Sequence, residues 1–143
     1  MKSNLTYVFF RNDDVGVDED AYAVARRVTA RQPGEWGATE LSPSLVTLLD
    51  IFAEQKVALD LAVIPFYLRS ALAQPLLERA RNGQVNLLQH GWRHADHGCR
   101  EFGPCRTFDT QQQEIARGKA HLKALLGEFF SPVFVPPSNK YDD

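Results

Sequence analysis

The fold is indicated most clearly by one stretch, Val85-Asn86-Leu87-Leu88-Gln89-His90-Gly91-Trp92-Arg93-His94. Its first part, Val85 to Leu88, is short and mostly apolar, which is typical of a buried strand. Polar residues follow at once, beginning with Gln89 and His90. In α/β folds, sites form at the carboxyl ends of parallel strands. The stretch therefore predicts a core strand that delivers functional side chains to one edge of a sheet.

The same strand–helix alternation extends outward along the chain. Four apolar segments are predicted as strands: Leu5 to Phe10, Val57 to Ile64, Val85 to Leu88 and Pro132 to Val135. The segments predicted as helices are Asp18 to Arg31, a helix starting at Ser42-Pro43, Ser70 to Arg81, and Gln111 to Leu126 capped by Asp109 or Thr110. Four strands alternating with helices indicate an α/β fold with a parallel sheet. With no repeat or linker in between, residues 1–143 are predicted to form one domain.

Composition and charge narrow the class of partner. The 143 residues are 44% hydrophobic and 24% charged, with a formal net charge of −2. Nucleic acids and anionic membranes need a basic face, so neither is expected as a partner. No apolar stretch approaches the roughly 20 residues that span a bilayer. The short apolar run before Arg11 suits a first strand better than a secretory signal, so we predict a cytoplasmic protein and leave a homo-oligomer open.

Two adjacent carboxylates, Asp13 and Asp14, follow the first predicted strand. Like charges close together in a partly buried site each need a compensating partner. A bound metal ion would compensate one carboxylate and leave the other available as a base. Taken alone, the pair is more typical of a solvated turn or a cap than of a metal site.

His90 and His94 are four residues apart, and three of the four histidines lie between His90 and His97. Neutral imidazole is a favoured ligand of zinc and similar divalent ions. Two histidines and one carboxylate form a three-ligand site that leaves positions open for water and substrate, as in catalytic zinc centres. The alternative is a pair of surface or core histidines, but their clustering favours metal binding.

The two cysteines, Cys99 and Cys105, lie close together in the sequence. In a cytoplasmic protein we expect both to be reduced thiols. A structural zinc site built from both cysteines with His94 and His97 is the alternative, although the spacing departs from that of ordinary zinc modules.

Together, three segments resemble motifs of the polysaccharide deacetylase superfamily, the metal-dependent carbohydrate deacetylases of NodB-homology type. They are Phe10-Arg11-Asn12-Asp13-Asp14, His90-Gly91-Trp92-Arg93-His94 and Val135-Pro136-Pro137-Ser138-Asn139. The resemblance implies that Asp14, His90 and His94 bind one divalent ion, most often Zn²⁺. It implies Asp13 as the general base and the backbone N–H of Ser138 as an oxyanion donor. It also implies a (β/α) barrel of the glycoside hydrolase/deacetylase type, of which this chain carries the first four strands.

The chain departs from the family pattern at several positions. Gly91 replaces a hydroxyl residue, and Val135 stands where an arginine usually orients the base, a role for which Arg11 or Arg93 are the candidates. The family's later strands and its general acid have no counterpart here, so we expect the sequence to be cut short, and His97 is the only spare acid nearby.

Two functions follow from this pattern. The first is hydrolysis of an acetyl amide or ester on an amino sugar or polysaccharide, and the second is a non-catalytic metal- or carbohydrate-binding relative that lacks the general acid. Trp36 or Trp92 could stack on a sugar ring or pack in the core.

Overall fold

The computed structural model describes residues 6–18, 35–95 and 100–139. Its strands are β1 (Arg11–Val15), β2 (Leu59–Val63), β3 (Val85–His90) and β4 (Phe130–Val135). Its helices are α1 (Pro43–Glu54), α2 (Ser70–Arg81) and α3 (Phe108–Leu126), with short 3-10 turns at Gly127–Phe129 and Pro137–Asn139. Beyond Asp18, the helix predicted to run to Arg31 lies outside the described residues.

The described strands form one sheet in the order β1-β2-β3-β4, and every neighbouring pair is parallel. The predicted α/β fold with a parallel sheet is therefore confirmed. Within the described residues the sheet is open, with β1 and β4 at its edges, and closure into a barrel remains a prediction. Because the strands are parallel, their carboxyl ends meet at one edge of the sheet.

The two faces of the sheet are packed differently. Leu61 and Leu87 point to the helices, where they join a fully buried cluster with Leu49 of α1, Leu76 of α2 and Leu122 of α3. Burying each such leucine contributes about 2 kcal/mol. The opposite face holds a smaller cluster of three buried residues, Ala62, Leu88 and Val135. Because side chains alternate along a strand, His90 shares this second face with Leu88.

The prediction for the first strand was wrong in position. Residues 6–10 are not in a strand, and Tyr7 and Phe9 are 76% and 81% exposed. Regular pairing with β2 begins at Arg11 opposite Asp60, and the preceding residue, Phe10, contributes only its carbonyl, which accepts from the N–H of Asp60 at 2.9 Å. The aspartate pair consequently lies inside β1 and not after it.

The capping residue was predicted correctly for α1 but not for α3. Ser42 caps α1 as predicted, accepting a hydrogen bond from the backbone N–H of Leu45 at 3.3 Å. The cap of α3 is Thr107, whose hydroxyl accepts from the N–H of Thr110, and neither Asp109 nor Thr110 fills that position. Both residues instead lie in the first turn of the helix, which begins at Phe108.

β3 is longer than predicted and runs on from Leu88 to His90. His90 is therefore held by sheet pairing, in register with Val135 of β4. No described helix is both long and apolar enough to cross a bilayer.

Candidate metal centre

A bulge in β1 sets the position of the two aspartates. Asn12 pairs with Leu61 and Val15 with Val63, so β1 uses three steps where β2 uses two. Asp14 takes up the extra residue with a φ of 64°. An extra residue of this kind breaks the alternation of a strand and re-aims side chains. As a result, Asp13 and Asp14 both line the same cleft, although neighbours in a regular strand would face opposite sides.

The predicted metal ligands converge. Oδ1 of Asp14 lies 3.3 Å from Nε2 of His90 and 3.4 Å from Nε2 of His94. One ligand atom from each of the three residues falls within 4.8 Å of the others. One carboxylate oxygen and two imidazole nitrogens make a donor set that suits Zn²⁺ and leaves coordination positions open. The residues therefore fit a divalent ion, and they come from the ends of strands far apart in sequence.

The backbone of β4 orients the imidazole of His90. This side chain is 1% exposed, and its Nδ1 lies 3.2 Å from the carbonyl oxygen of Val135. In the tautomer protonated at Nδ1, the ring donates to that carbonyl and leaves the lone pair of Nε2 for a metal ion, whereas a ring protonated at Nε2 donates to Asp14. Metal-binding histidines are commonly oriented by such a bond from the second ring nitrogen.

The neighbouring histidines favour the ionised form of the Asp14 carboxyl group. The hydrogen bond with His90 lowers the pKa of Asp14, burial opposes this shift, and the charges of His94 and His90 strengthen it. The side chain of Asp14 is nevertheless 62% exposed. The carboxylate is thus anionic at neutral pH and open to the cleft, as a metal ligand needs to be.

Asp13 is held separately, by Arg11. Nε and Nη2 of Arg11 donate to the two carboxylate oxygens of Asp13 at 2.6 and 3.0 Å, and Nη2 also donates to Oδ1 of Asn139 at 2.6 Å. Such a two-point pairing fixes the plane of a carboxylate. Of the two arginines considered as substitutes at Val135, Arg11 contacts Asp13, whereas the guanidinium of Arg93 lies 4.3 Å from the ring centre of Phe66.

The segment that carries His94 is organised by a residue that sequence reasoning missed. Glu101 is 3% exposed, and its carboxylate accepts the backbone N–H groups of Trp92, Arg93 and His94 at 3.3, 2.7 and 3.1 Å. Burial raises the pKa of Glu101, and the N–H donors partly offset that effect. Nothing in the local pattern around Glu101 distinguishes it from a surface glutamate.

Ser138 lies in the 3-10 turn that follows β4, with a φ of 59°. It is not among the described residues that line the cleft, and its role as an oxyanion donor remains a prediction. Four of the six described non-glycine residues with positive φ belong to this region: Asp14, His94, Ser138 and Asn139. Backbone strain of this kind is concentrated at functional sites.

A cleft of about 940 Å³ opens beside Asp14 and His94, between the end of β1 and the start of α1. Carboxylates on its described lining are those of Asp13, Asp14, Asp18 and Glu40, and no lysine or arginine is among the described lining residues. A space of this size accommodates a small ligand or part of a polymer.

Neither tryptophan is among the described residues that line the cleft. Trp92 is 3% exposed, packed edge-on against Phe66 and covered by the guanidinium of Arg117 at 4.7 Å. Trp36 packs against the same buried cluster. Of the two roles considered for Trp92, packing is the one observed.

The expectation of reduced thiols was wrong for Cys105, which is disulfide-bonded. The other cysteine of the chain, Cys99, and the predicted spare acid His97 lie outside the described residues. Zinc binds the thiolate form, so a disulfide-bonded Cys105 cannot contribute to the alternative structural zinc site. Disulfides persist mainly in oxidising compartments, so this bond does not support the cytoplasmic prediction.

Comparison of the chain with family models, with curated proteins and with solved structures found no match.

Proposed function

We propose that this chain is a divalent-metal-dependent hydrolase that removes an acetyl group from an amino sugar or polysaccharide. The observation that carries the proposal is the convergence of Asp14, His90 and His94 within 4.8 Å, beside a second carboxylate. The resemblance of the three sequence motifs to carbohydrate deacetylases supports the choice of substrate.

Asp14, His90 and His94 would hold the ion, for which we propose Zn²⁺. A divalent ion bound there would supply Lewis acidity towards the acetyl carbonyl and would lower the pKa of a water molecule. His90 is suited to this task because the Val135 carbonyl orients its ring.

Asp13 acts as the general base: it accepts the proton of the attacking water and returns it to the leaving amine or alkoxide as the bond to the acyl carbon breaks. Arg11 holds the carboxylate of Asp13 in one orientation, and Asn139 holds Arg11 by accepting a hydrogen bond from it. On the resemblance, the backbone N–H of Ser138 would donate to the oxyanion that develops on the carbonyl oxygen of the acetyl group. The proton acceptor and the oxyanion donor thus come from β1 and from the turn after β4, and Asn139 links these two elements.

The test combines metal analysis with acetate release. Purified wild-type protein, loaded with Zn²⁺, is incubated with an N-acetylated amino-sugar oligomer and with an O-acetylated sugar, and free acetate is measured. We expect one bound ion per chain and acetate from at least one substrate. Failure of the wild-type protein to retain a divalent ion would refute the proposal.

Variants assign the roles. His90→Ala should lose both the ion and acetate release. The control His121→Ala should keep both, because His121 contacts the Leu68 carbonyl and the edge of the Trp92 ring and is not among the converging ligands. Asp13→Asn should keep the ion and lose acetate release by a factor of about 10²–10⁴, the usual contribution of a general base. Normal turnover in Asp13→Asn would remove Asp13 from the mechanism.

A second candidate is a non-catalytic metal- or carbohydrate-binding domain. It is favoured by one observation: among the described residues that line the cleft, the only histidine is the ligand His94, so no histidine is assigned as general acid. Bound metal together with sugar binding, but without acetate from either substrate, would favour this candidate.

A further inference from the structure

Glu101 is a buried carboxylate held by backbone groups. Oε2 accepts from the N–H groups of Trp92 and His94, and Oε1 accepts from that of Arg93. Arg106 is nearby, but it donates to the backbone carbonyl of Glu101 and forms its salt bridge with Glu114. Within residues 6–18, 35–95 and 100–139, no basic side chain forms a salt bridge with the Glu101 carboxylate.

Burying a carboxylate is costly unless hydrogen bonds compensate for the lost water. Here all three bonds go to consecutive residues of one segment, which ends at the metal ligand His94. His94 has a φ of 53°, a backbone conformation that residues other than glycine rarely adopt. The bond from its own N–H to Glu101 stabilises that conformation, in which Nε2 of His94 lies 3.4 Å from Asp14.

The space that a side chain at position 91 would need is filled by Glu101 and Pro137. A Cβ at position 91 would lie 2.5 Å from Cγ of Pro137 and closer still to Oε2 of Glu101. The resembled family has a hydroxyl residue at this position. In this chain the carboxylate of Glu101 and the ring of Pro137 occupy that space, and only glycine fits.

We infer that Glu101 is a positioning residue of the metal centre: its carboxylate binds the backbone of Trp92, Arg93 and His94 and thereby sets His94 for metal binding. The inference rests on the proposed metal site and adds a residue that does not itself touch the ion. Glu101 reaches the site from outside the three motifs.

The test compares Glu101→Gln with Glu114→Gln. Glutamine at 101 keeps the size of the side chain but has one acceptor oxygen, so its NH₂ group must face at least one of the backbone donors. Glu114→Gln removes a nearby carboxylate that pairs with Arg106 and does not contact the segment. Zn²⁺ affinity is measured by competition with a chromophoric chelator, and the site geometry is followed in the visible absorption spectrum of the Co²⁺-loaded protein.

We expect Glu101→Gln to bind Zn²⁺ about 10–100-fold more weakly, as is usual when an outer partner of a metal ligand is lost. Its Co²⁺ spectrum should change, while Glu114→Gln keeps the wild-type affinity and spectrum. A merely structural role would lower the stability of Glu101→Gln without altering the Co²⁺ spectrum of the folded variant, and that result would overturn the inference. Equal affinity and an unchanged spectrum in Glu101→Gln would overturn the inference.

A measurement on the wild-type protein covers the case in which Glu101→Gln does not fold. The backbone amides of Trp92, Arg93 and His94 should exchange slowly with deuterated solvent in metal-free wild-type protein, because Glu101 accepts all three. Exchange of these amides at the rate of open loops would overturn the inference. If wild type binds no metal, the proposed function fails, and the exchange rates still report separately whether Glu101 holds the segment.

Discussion

Replacing Gly91 by alanine tests the packing beneath the candidate metal centre. Gly91 has a φ of 57°, and an added Cβ would collide with Pro137 and with the carboxylate of Glu101. The left-handed backbone costs an alanine about 1 kcal/mol relative to glycine. Forcing an extra methyl group into a filled space costs about 1–3 kcal/mol more. We therefore expect Gly91→Ala to lower the free energy of unfolding by about 2–4 kcal/mol.

Gly83 provides a matched control. It has a φ of 68°, and no atom lies within 4 Å of its added Cβ, so Gly83→Ala carries the backbone cost without the collision. Its expected loss is about 1 kcal/mol. The difference between the two variants isolates the contact with Glu101 and Pro137.

The assay is urea denaturation of metal-free protein, followed by far-ultraviolet circular dichroism. The denaturant slope should be unchanged, so that the shift in midpoint reports stability. Zn²⁺ affinity should fall in Gly91→Ala and stay unchanged in Gly83→Ala. Losses that agree within about 0.5 kcal/mol would refute the packing described around Gly91.

Three further predictions address the base, the ligand and the core. Because Arg11 and Asp13 are partly exposed, Arg11→Met should change stability by less than about 1 kcal/mol, yet it should lower acetate release about 10–100-fold. A turnover equal to wild type would show that Arg11 does not orient the base. His90 lowers the pKa of Asp14, so this carboxylate stabilises the fold above the ordinary aspartate pKa of about 3.9 and ceases to do so as the pH falls through the lowered value. Metal-free wild type should thus lose more stability than Asp14→Asn on acidification from about pH 6 to pH 3, and parallel denaturation curves would contradict this. Leu122 is fully buried, so Leu122→Ala should cost about 2–5 kcal/mol in urea denaturation, and a loss under about 1 kcal/mol would place it outside the core.

Much of the architecture is already encoded in local sequence patterns. Ser42-Pro43 and the apolar spacing after it predicted α1, and the structure has that helix from Pro43 to Glu54. The alternation of strands and helices predicted a parallel sheet, which the structure has. A parallel sheet brings strand ends together, so the convergence of Asp14 with His90 and His94 could be predicted from the sequence. These signals succeed because periodicity and capping depend on residues a few positions apart.

The remaining features depend on contacts between residues that are distant in sequence. The apolar run before Arg11 resembles a core strand, but the start of β1 depends on its pairing with β2. The bulge that presents Asp14 depends on the same pairing. The choice of Arg11 over Arg93 as the partner of Asp13 likewise depends on packing, because the guanidinium of Arg93 lies over the ring of Phe66. In the sequence, Glu101 resembles an ordinary surface glutamate. In the folded chain it is buried against the segment that carries His94. Burial and strand register are properties of the packed chain, so tertiary structure alone decided how the ligands of this site are held.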